Sequence, residues 1–295
     1  MKLILYIYYI FIIFLIILLF SFLKKSNNYD YYQNYNNNNY RKRRPWMRKI
    51  RRIFSSMELA KDSNNNNNII FLSKDELFYN LKQNMDNYYD TFSETDLVAR
   101  KISNIDHYVG KIYKSVSEFT PNEKTILKKC IYHISNNLSK INFEYFDGSK
   151  ANKIIWKIGC IKGNQYEYGL PHTRNDIIIL NNDSINNDDI SNIISLLIHE
   201  KVHVYQKMYP NDNEKYLKKF NFKRIKNRPE NVRANPDIDT YIYEDNTKTY
   251  SATYNKNPSN VTDVKYSSVS DGQKSEHPFE KMAIEIEDLY TKYFL

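Results

Sequence analysis

Two of the six histidines in this chain stand four positions apart in the stretch SLLIHEKVHVYQKMYP, residues 195–210, with a glutamate beside the first. On a helix, residues four apart lie one above the other. His199 and His203 would then present two imidazole nitrogens to one point, the spacing that two ligands of a tetrahedral zinc ion need. Glu200 is turned about 100° around the helix axis. That is too far to serve as the natural third ligand, but it suits a general base that takes a proton from a water on the metal. The intervening Lys201 and Val202 are unconstrained by this chemistry, and Ile198 and Val202 are expected to pack the helix into the body.

Two imidazoles do not complete a site. A catalytic zinc takes a third protein ligand and keeps a position open for water. Cys130 and Cys160 have no CxxC spacing, which argues against thiolate zinc, and they allow either one disulfide or two free thiols. The metzincin continuation HExxHxxGxxH is excluded, because Gln206 replaces its glycine and Tyr209 its third histidine. A carboxylate from a later helix is the other solution. The C-terminal stretch SEHPFEKMAIEIEDLYTKYFL, residues 275–295, supplies one. Pro278 suits a first turn, and Phe279, Met282, Ile286, Leu289 and Tyr290 form an apolar face. Glu280 is the expected third ligand, with Ala283 leaving space for close approach of the two helices. Glu276 is the next candidate, and Glu285 and Glu287 are rivals. The competing reading is that Glu280 only favours the helix N-terminus through the dipole.

The elements that must position these groups are legible in outline. NNDDISNIISLLIHEKVHVYQKMYP has turn residues and Asp in front, a broad apolar face and Pro210 behind, which predicts a buried helix of about 20 residues. Upstream, residues 69–140 carry apolar positions at helical spacing and read as a helical subdomain. SETD is a helix start, and Thr120, Pro121 and Glu123 form an N-cap, first position and first turn. INFEYF (141–146), KIIWKIG (153–159) and DIIIL (176–180) read as strands. Residues 211–274 read as irregular and Tyr-rich.

The N-terminus has a different character. Residues 1–23 are apolar apart from Lys2 and Ser21, long enough to span a bilayer, and no small-residue cleavage site follows. We expect an uncleaved signal anchor over residues 1–25 and a single-pass membrane protein. Lys2, Lys24 and Lys25 flank the span, and basic flanks favour the cytoplasmic side. The sequons at Asn137, Asn182 and Asn260 point the other way, so the side stays open. Residues 26–69 form an Asn-rich linker, interrupted by RKRRPWMRKIRRIF (41–54), whose basic face with aromatic anchors suits lipid headgroups. A plain topology signal is the simpler reading of that segment, and nucleic acid is the least favoured partner. Much of the net charge of +9 sits there.

LIHEKVHVYQ together with the downstream HPFEKMA resembles the gluzincin side of the zincin metallopeptidases. It is also similar to HExxH proteins of giant viruses and protists, in which a PHT-like strand entry precedes the helix and an NPD segment follows. This chain has LPHTRNDIIIL and RANPDIDTYIY. The resemblance covers about residues 90–295. It implies an α+β, zincin-like fold over residues 70–295, a bound Zn2+ and hydrolase activity, but no particular substrate. In that fold an edge strand lies beside the active helix and an extended peptide adds to it; RNDIIIL is the expected edge. His172, in the preceding turn, either touches substrate or fixes the turn. Tyr241, Tyr243, Arg233 and His277 are conceivable partners for a developing oxyanion.

The expected function is therefore zinc-dependent hydrolysis of a peptide or protein substrate. Zinc lowers the pKa of its water, and Glu200 takes the proton. The alternative from another class is a non-enzymatic, membrane-tethered binding protein whose working part is residues 41–54.

Overall fold

In the computed structural model, the described residues are 68–186, 189–270 and 273–295, and they have an α+β architecture. The organising element is a mixed sheet of five strands. β1 (Ile69–Phe71) runs parallel to β5 (Trp156–Ile161), and β5 runs parallel to β7 (Ile177–Asn181). β6 (His172–Arg174) closes one edge antiparallel to β7, and the short β2 (Val116–Ser117) pairs antiparallel with the far end of β5.

Strand β7 explains why IIIL is an unbroken apolar run. Side chains alternate between faces of a sheet. Ile178 and Leu180 join one buried cluster, while Ile177 and Ile179 join the cluster on the opposite face. A strand buried on both faces reads as continuous rather than alternating. RNDIIIL is therefore not the edge: β7 lies between β5 and β6, and the edge strand is His172–Arg174.

Helices cover both faces. On one side lie α1 (Lys74–Gln83) and α3 (Ile105–Ser115), whose Leu77, Leu81, Tyr108 and Ile112 are buried against Ile161, Ile177 and Ile179. Gly159 on β5 lets α1 approach, because a Cβ there would meet the Leu77 side chain at 2.5 Å. On the other side lie α4 (Pro121–Ser135), α7 (Ile190–Met208) and α9 (Pro278–Phe294). The short α2 (Glu94–Arg100), α5 (Gly148–Lys153) and α6 (Asn182–Asn186) complete the order before α7. The N-terminal helices are thus not a separate subdomain. Their leading residues, Ile69–Phe71, are a strand of the same sheet, and their apolar faces cover it.

Helix starts follow the sequence closely. Ser73, Ser93 and Thr120 each cap a helix with a reciprocal box to Glu76, Asp96 and Glu123, interactions typically worth about 1 kcal/mol each. INFEYF instead forms most of two strands of two residues, β3 (Asn142–Phe143) and β4 (Phe146–Asp147), paired among the described residues only with each other. The two residues between them make the turn of this hairpin.

The segment after α7 is more regular than its composition indicates. Pro210 opens α8 (Pro210–Lys219), and β8 (Lys223–Asn227), β9 (Tyr241–Glu244) and β10 (Thr249–Tyr250) form a three-stranded antiparallel sheet. Two hairpins follow, β11 (Ala252–Tyr254) with β12 (Val264–Tyr266) and β13 (Ser268–Ser270) with β14 (Gln273–Ser275). Among the described residues no helix is long and apolar enough to cross a membrane. The expected anchor at 1–25 and the basic segment at 41–54 lie outside the described residues.

Candidate metal centre

Helix α7 runs through the core. Ile193, Ile194, Leu197, Ile198, Val202 and Val204 are buried, which fixes its rotation. That rotation turns His199 and His203 toward α9, which packs along it. Lys201, unconstrained by the motif's chemistry, is 1% exposed and structural. Its ammonium donates to the Ile154 carbonyl at 2.7 Å and lies 4.1 Å from the centre of the Trp156 ring. Burial lowers its pKa to about 7.

His199, His203 and Glu280 come together. His199 Nε2 lies 3.1 Å from His203 Nε2 and 3.4 Å from Glu280 Oε2, and His203 Nε2 lies 3.6 Å from the same oxygen. Ligand atoms bound tetrahedrally at about 2.0–2.1 Å stand roughly 3.3 Å apart. The three observed separations bracket that value, so a point about 2 Å from all three atoms exists just off their plane. His203 is buried, while the His199 and Glu280 side chains keep 19% and 17% exposure.

Each of the three groups is held from behind. His199 Nδ1 lies 3.1 Å from Glu287 Oε2. His203 Nδ1 lies 2.9 Å from Gln206 Oε1, and the Gln206 amide donates to the Phe279 carbonyl at 2.9 Å. Glu280 Oε1 accepts from Asn235 Nδ2 at 2.9 Å. Partners of this kind fix the tautomer and orientation of metal-binding imidazoles. Burial works against charge on both His199 and Glu280. The carboxylates of Glu280 and Glu287 outweigh it and hold the His199 pKa well above normal. The His203 and His199 rings likewise hold Glu280 well below the usual carboxylate range.

Glu200 is 3% exposed, and its Oε2 has no hydrogen-bond partner. Burial, then the Asp237 charge, push its pKa well up, against the pull of His199. A cation beside it would pull the pKa back down. A buried carboxyl oxygen with nothing to bond is costly, and it is the kind of atom a site keeps for a ligand or water.

The other candidates are engaged elsewhere. Glu276 pairs with Arg233 and accepts from Asn235 at 2.8 Å. Glu285 accepts from Tyr145 and Tyr216. His172 is not in a turn but buried at the start of β6, with Nδ1 2.8 Å from the Leu170 carbonyl and Nε2 3.1 Å from the Tyr166 hydroxyl. His277 caps α9 by accepting from the Phe279 N–H, and its Nε2 lies 3.0 Å from Asp239. Tyr243 donates to that same Asp239, and Tyr241 is exposed.

Sequence reasoning missed the roles of Gln206, Glu287, Asn235, Asp237 and Lys207. Gln206 lies three positions after His203, and Glu287 seven after Glu280, so helical spacing alone could have placed both beside the site. Asp237 and Lys207 act on the sheet edge. The Asp237 carboxylate takes the Thr173 N–H at 2.6 Å and its hydroxyl at 2.7 Å, while Lys207 donates to the Thr173 carbonyl at 2.8 Å. The two backbone bonds that an added strand would make at Thr173 are already made. No protein-family model, curated protein or solved structure matches this chain.

Proposed function

We propose that the chain is a zinc-dependent hydrolase of the zincin type, most simply a peptidase, with His199, His203 and Glu280 holding the metal. The observation that carries this reading is the triangle of donor atoms at 3.1, 3.4 and 3.6 Å with the unbonded, buried Glu200 carboxyl oxygen on the same helix. Two imidazoles and a carboxylate are a donor set that zinc accepts, and three protein ligands leave a position open. Bound there, zinc supplies Lewis acidity toward a carbonyl and toward water.

The residues do the rest. Glu200 Oε2, buried and without another partner, takes a proton from the attacking water and returns it to the leaving amine. Glu287 and Gln206 hold the imidazoles with Nε2 forward. The assignment to peptides rests on analogy with enzymes sharing this ligand set. The zincin comparison is supported by the approach of α9, which carries Glu280, to α7. Zn2+ as cofactor, a peptide substrate and a membrane anchor over residues 1–25 belong to the same reading.

Metal analysis of the full-length protein tests it. About one zinc per chain is expected, lost in His203→Ala and strongly weakened in Glu280→Gln. Glu200→Gln should keep zinc and lose hydrolysis of a mixed peptide library. Full zinc in His203→Ala overturns the assignment. Normal zinc in Glu280→Gln with loss in Glu276→Gln moves the third ligand to Glu276.

A further inference from the structure

The segment Arg233–Asp237 passes beside Glu280, and each of its residues is tied to a different part of the fold. Arg233 pairs with Glu276, and its N–H donates to the Ala252 carbonyl at 2.8 Å. The Ala234 N–H donates to Asp96 at 2.9 Å, and its carbonyl accepts from Arg100 at 3.0 Å. The Pro236 carbonyl accepts from Lys207 at 2.9 Å, and Asp237 holds Thr173. Asn235 in the middle therefore has little freedom to move.

Its amide nitrogen is aimed at two carboxylates, Glu280 Oε1 at 2.9 Å and Glu276 Oε1 at 2.8 Å. An amide nitrogen carries two donors, so each carboxylate receives one. Its amide oxygen does a separate task, accepting the Asp237 N–H at 2.9 Å in a local turn. The two oxygens of Glu280 are thereby made unequal. Oε1 is held by Asn235, and Oε2 faces both imidazole nitrogens.

We propose that Asn235 is a positioning residue that keeps Glu280 a one-oxygen ligand, so that the fourth position stays open. Resting on the metal reading above, this gives a role to Asn235, which lies outside the HExxH stretch itself. Without the Asn235 donor the Glu280 carboxylate is free to turn and offer both oxygens, filling the position a catalytic site needs for water. Loss of an outer partner of this type typically weakens metal affinity by roughly 10- to 100-fold.

The two faces of the amide allow the positioning role to be separated from the turn. Asn235→Ser keeps a side-chain oxygen for the Asp237 N–H in a local turn and is too short to donate to Glu280, with no new charge beside Glu276 and Glu280. Asn235→Ala removes both. Cobalt(II) serves as the probe, titrated into metal-free full-length protein, with the visible d–d bands and the melting temperature recorded. Both variants are expected to bind cobalt about tenfold or more weakly, with weaker bands as the coordination number rises. Metal-free Asn235→Ser should still fold and melt cooperatively. Parent-like cobalt affinity and spectrum in both variants, with His203→Ala measured in parallel and found not to bind, overturns this role and leaves the metal site standing. Parent-like binding in His203→Ala instead overturns the metal reading itself. A metal-free Asn235→Ser that no longer folds also overturns the proposal, since the residue is then structural.

Discussion

Gln206 offers the sharpest test of how the histidines are held, because replacing it with leucine separates metal affinity from stability. His203 is 1% exposed, so its ring finds no water when a partner is lost. With a metal at Nε2, Nδ1 must carry the proton, and that N–H donates to Gln206 Oε1, 2.9 Å away. Gln206→Leu leaves this buried donor unpaired, at a cost of about 1–3 kcal/mol. In the metal-free protein the proton can sit on Nε2 instead, toward the Glu280 carboxylate oxygen 3.6 Å away. The penalty therefore falls on the bound state and appears as a roughly 5- to 150-fold loss of zinc affinity. Stability of the metal-free chain should change little. The lost bond from the Gln206 amide to the Phe279 carbonyl is worth about 1 kcal/mol, and a buried leucine offsets much of it. Gln206→Glu restores an acceptor for Nδ1 and should restore affinity. Competition against a chromophoric chelator measures all three proteins. Parent-like affinity in Gln206→Leu would refute the argument, since it would mean that the ring is held without this partner.

Two further outcomes follow from the same geometry. The depressed Lys201 pKa of about 7 means that between pH 7 and 10 the unfolded chain binds a proton that the folded chain has shed. Folding stability should therefore rise with pH there, by up to about 1.4 kcal/mol per unit from this group. Urea unfolding of the parent and Lys201→Met across that range should give non-parallel profiles, and parallel ones would show that Lys201 stays charged in the fold. Asp237→Ala should expose the Thr173 amide at the edge of β6 and speed its hydrogen exchange; exchange as slow as in the parent would mean that the edge is sealed by something other than Asp237.

What the sequence made legible was local. Caps are read within four residues, so Ser73, Ser93 and Thr120 were accessible in kind from their spacing to Glu76, Asp96 and Glu123. The helix bearing His199 and His203 was legible from its apolar period and from Pro210 behind it. Strand order was not. IIIL is equally a buried edge or a buried centre until its neighbours are known, and only the pairing with β5 on one side and β6 on the other places it. IIF at 69–71 carries no turn or alternation signal of its own and becomes a strand because Trp156–Ile158 offers it an edge.

The same division runs through the site. Glu280 could be singled out because a helix start, an apolar face and a small neighbour all lie within one stretch of chain. Asn235 could not, because its role depends on five separate anchors that hold residues 233–237 beside Glu280: Ala252, Asp96, Arg100, Lys207 and Thr173. Nothing in the NPD tripeptide specifies an amide aimed at two carboxylates. Asp96 ties the two levels together, since one oxygen of the carboxylate that caps α2 also receives the Ala234 N–H next to Asn235. A residue readable as an ordinary helix cap is therefore also an anchor for the segment beside the candidate metal site. For that reason α2, which contributes none of the three candidate ligands, belongs to the unit that holds the candidate site.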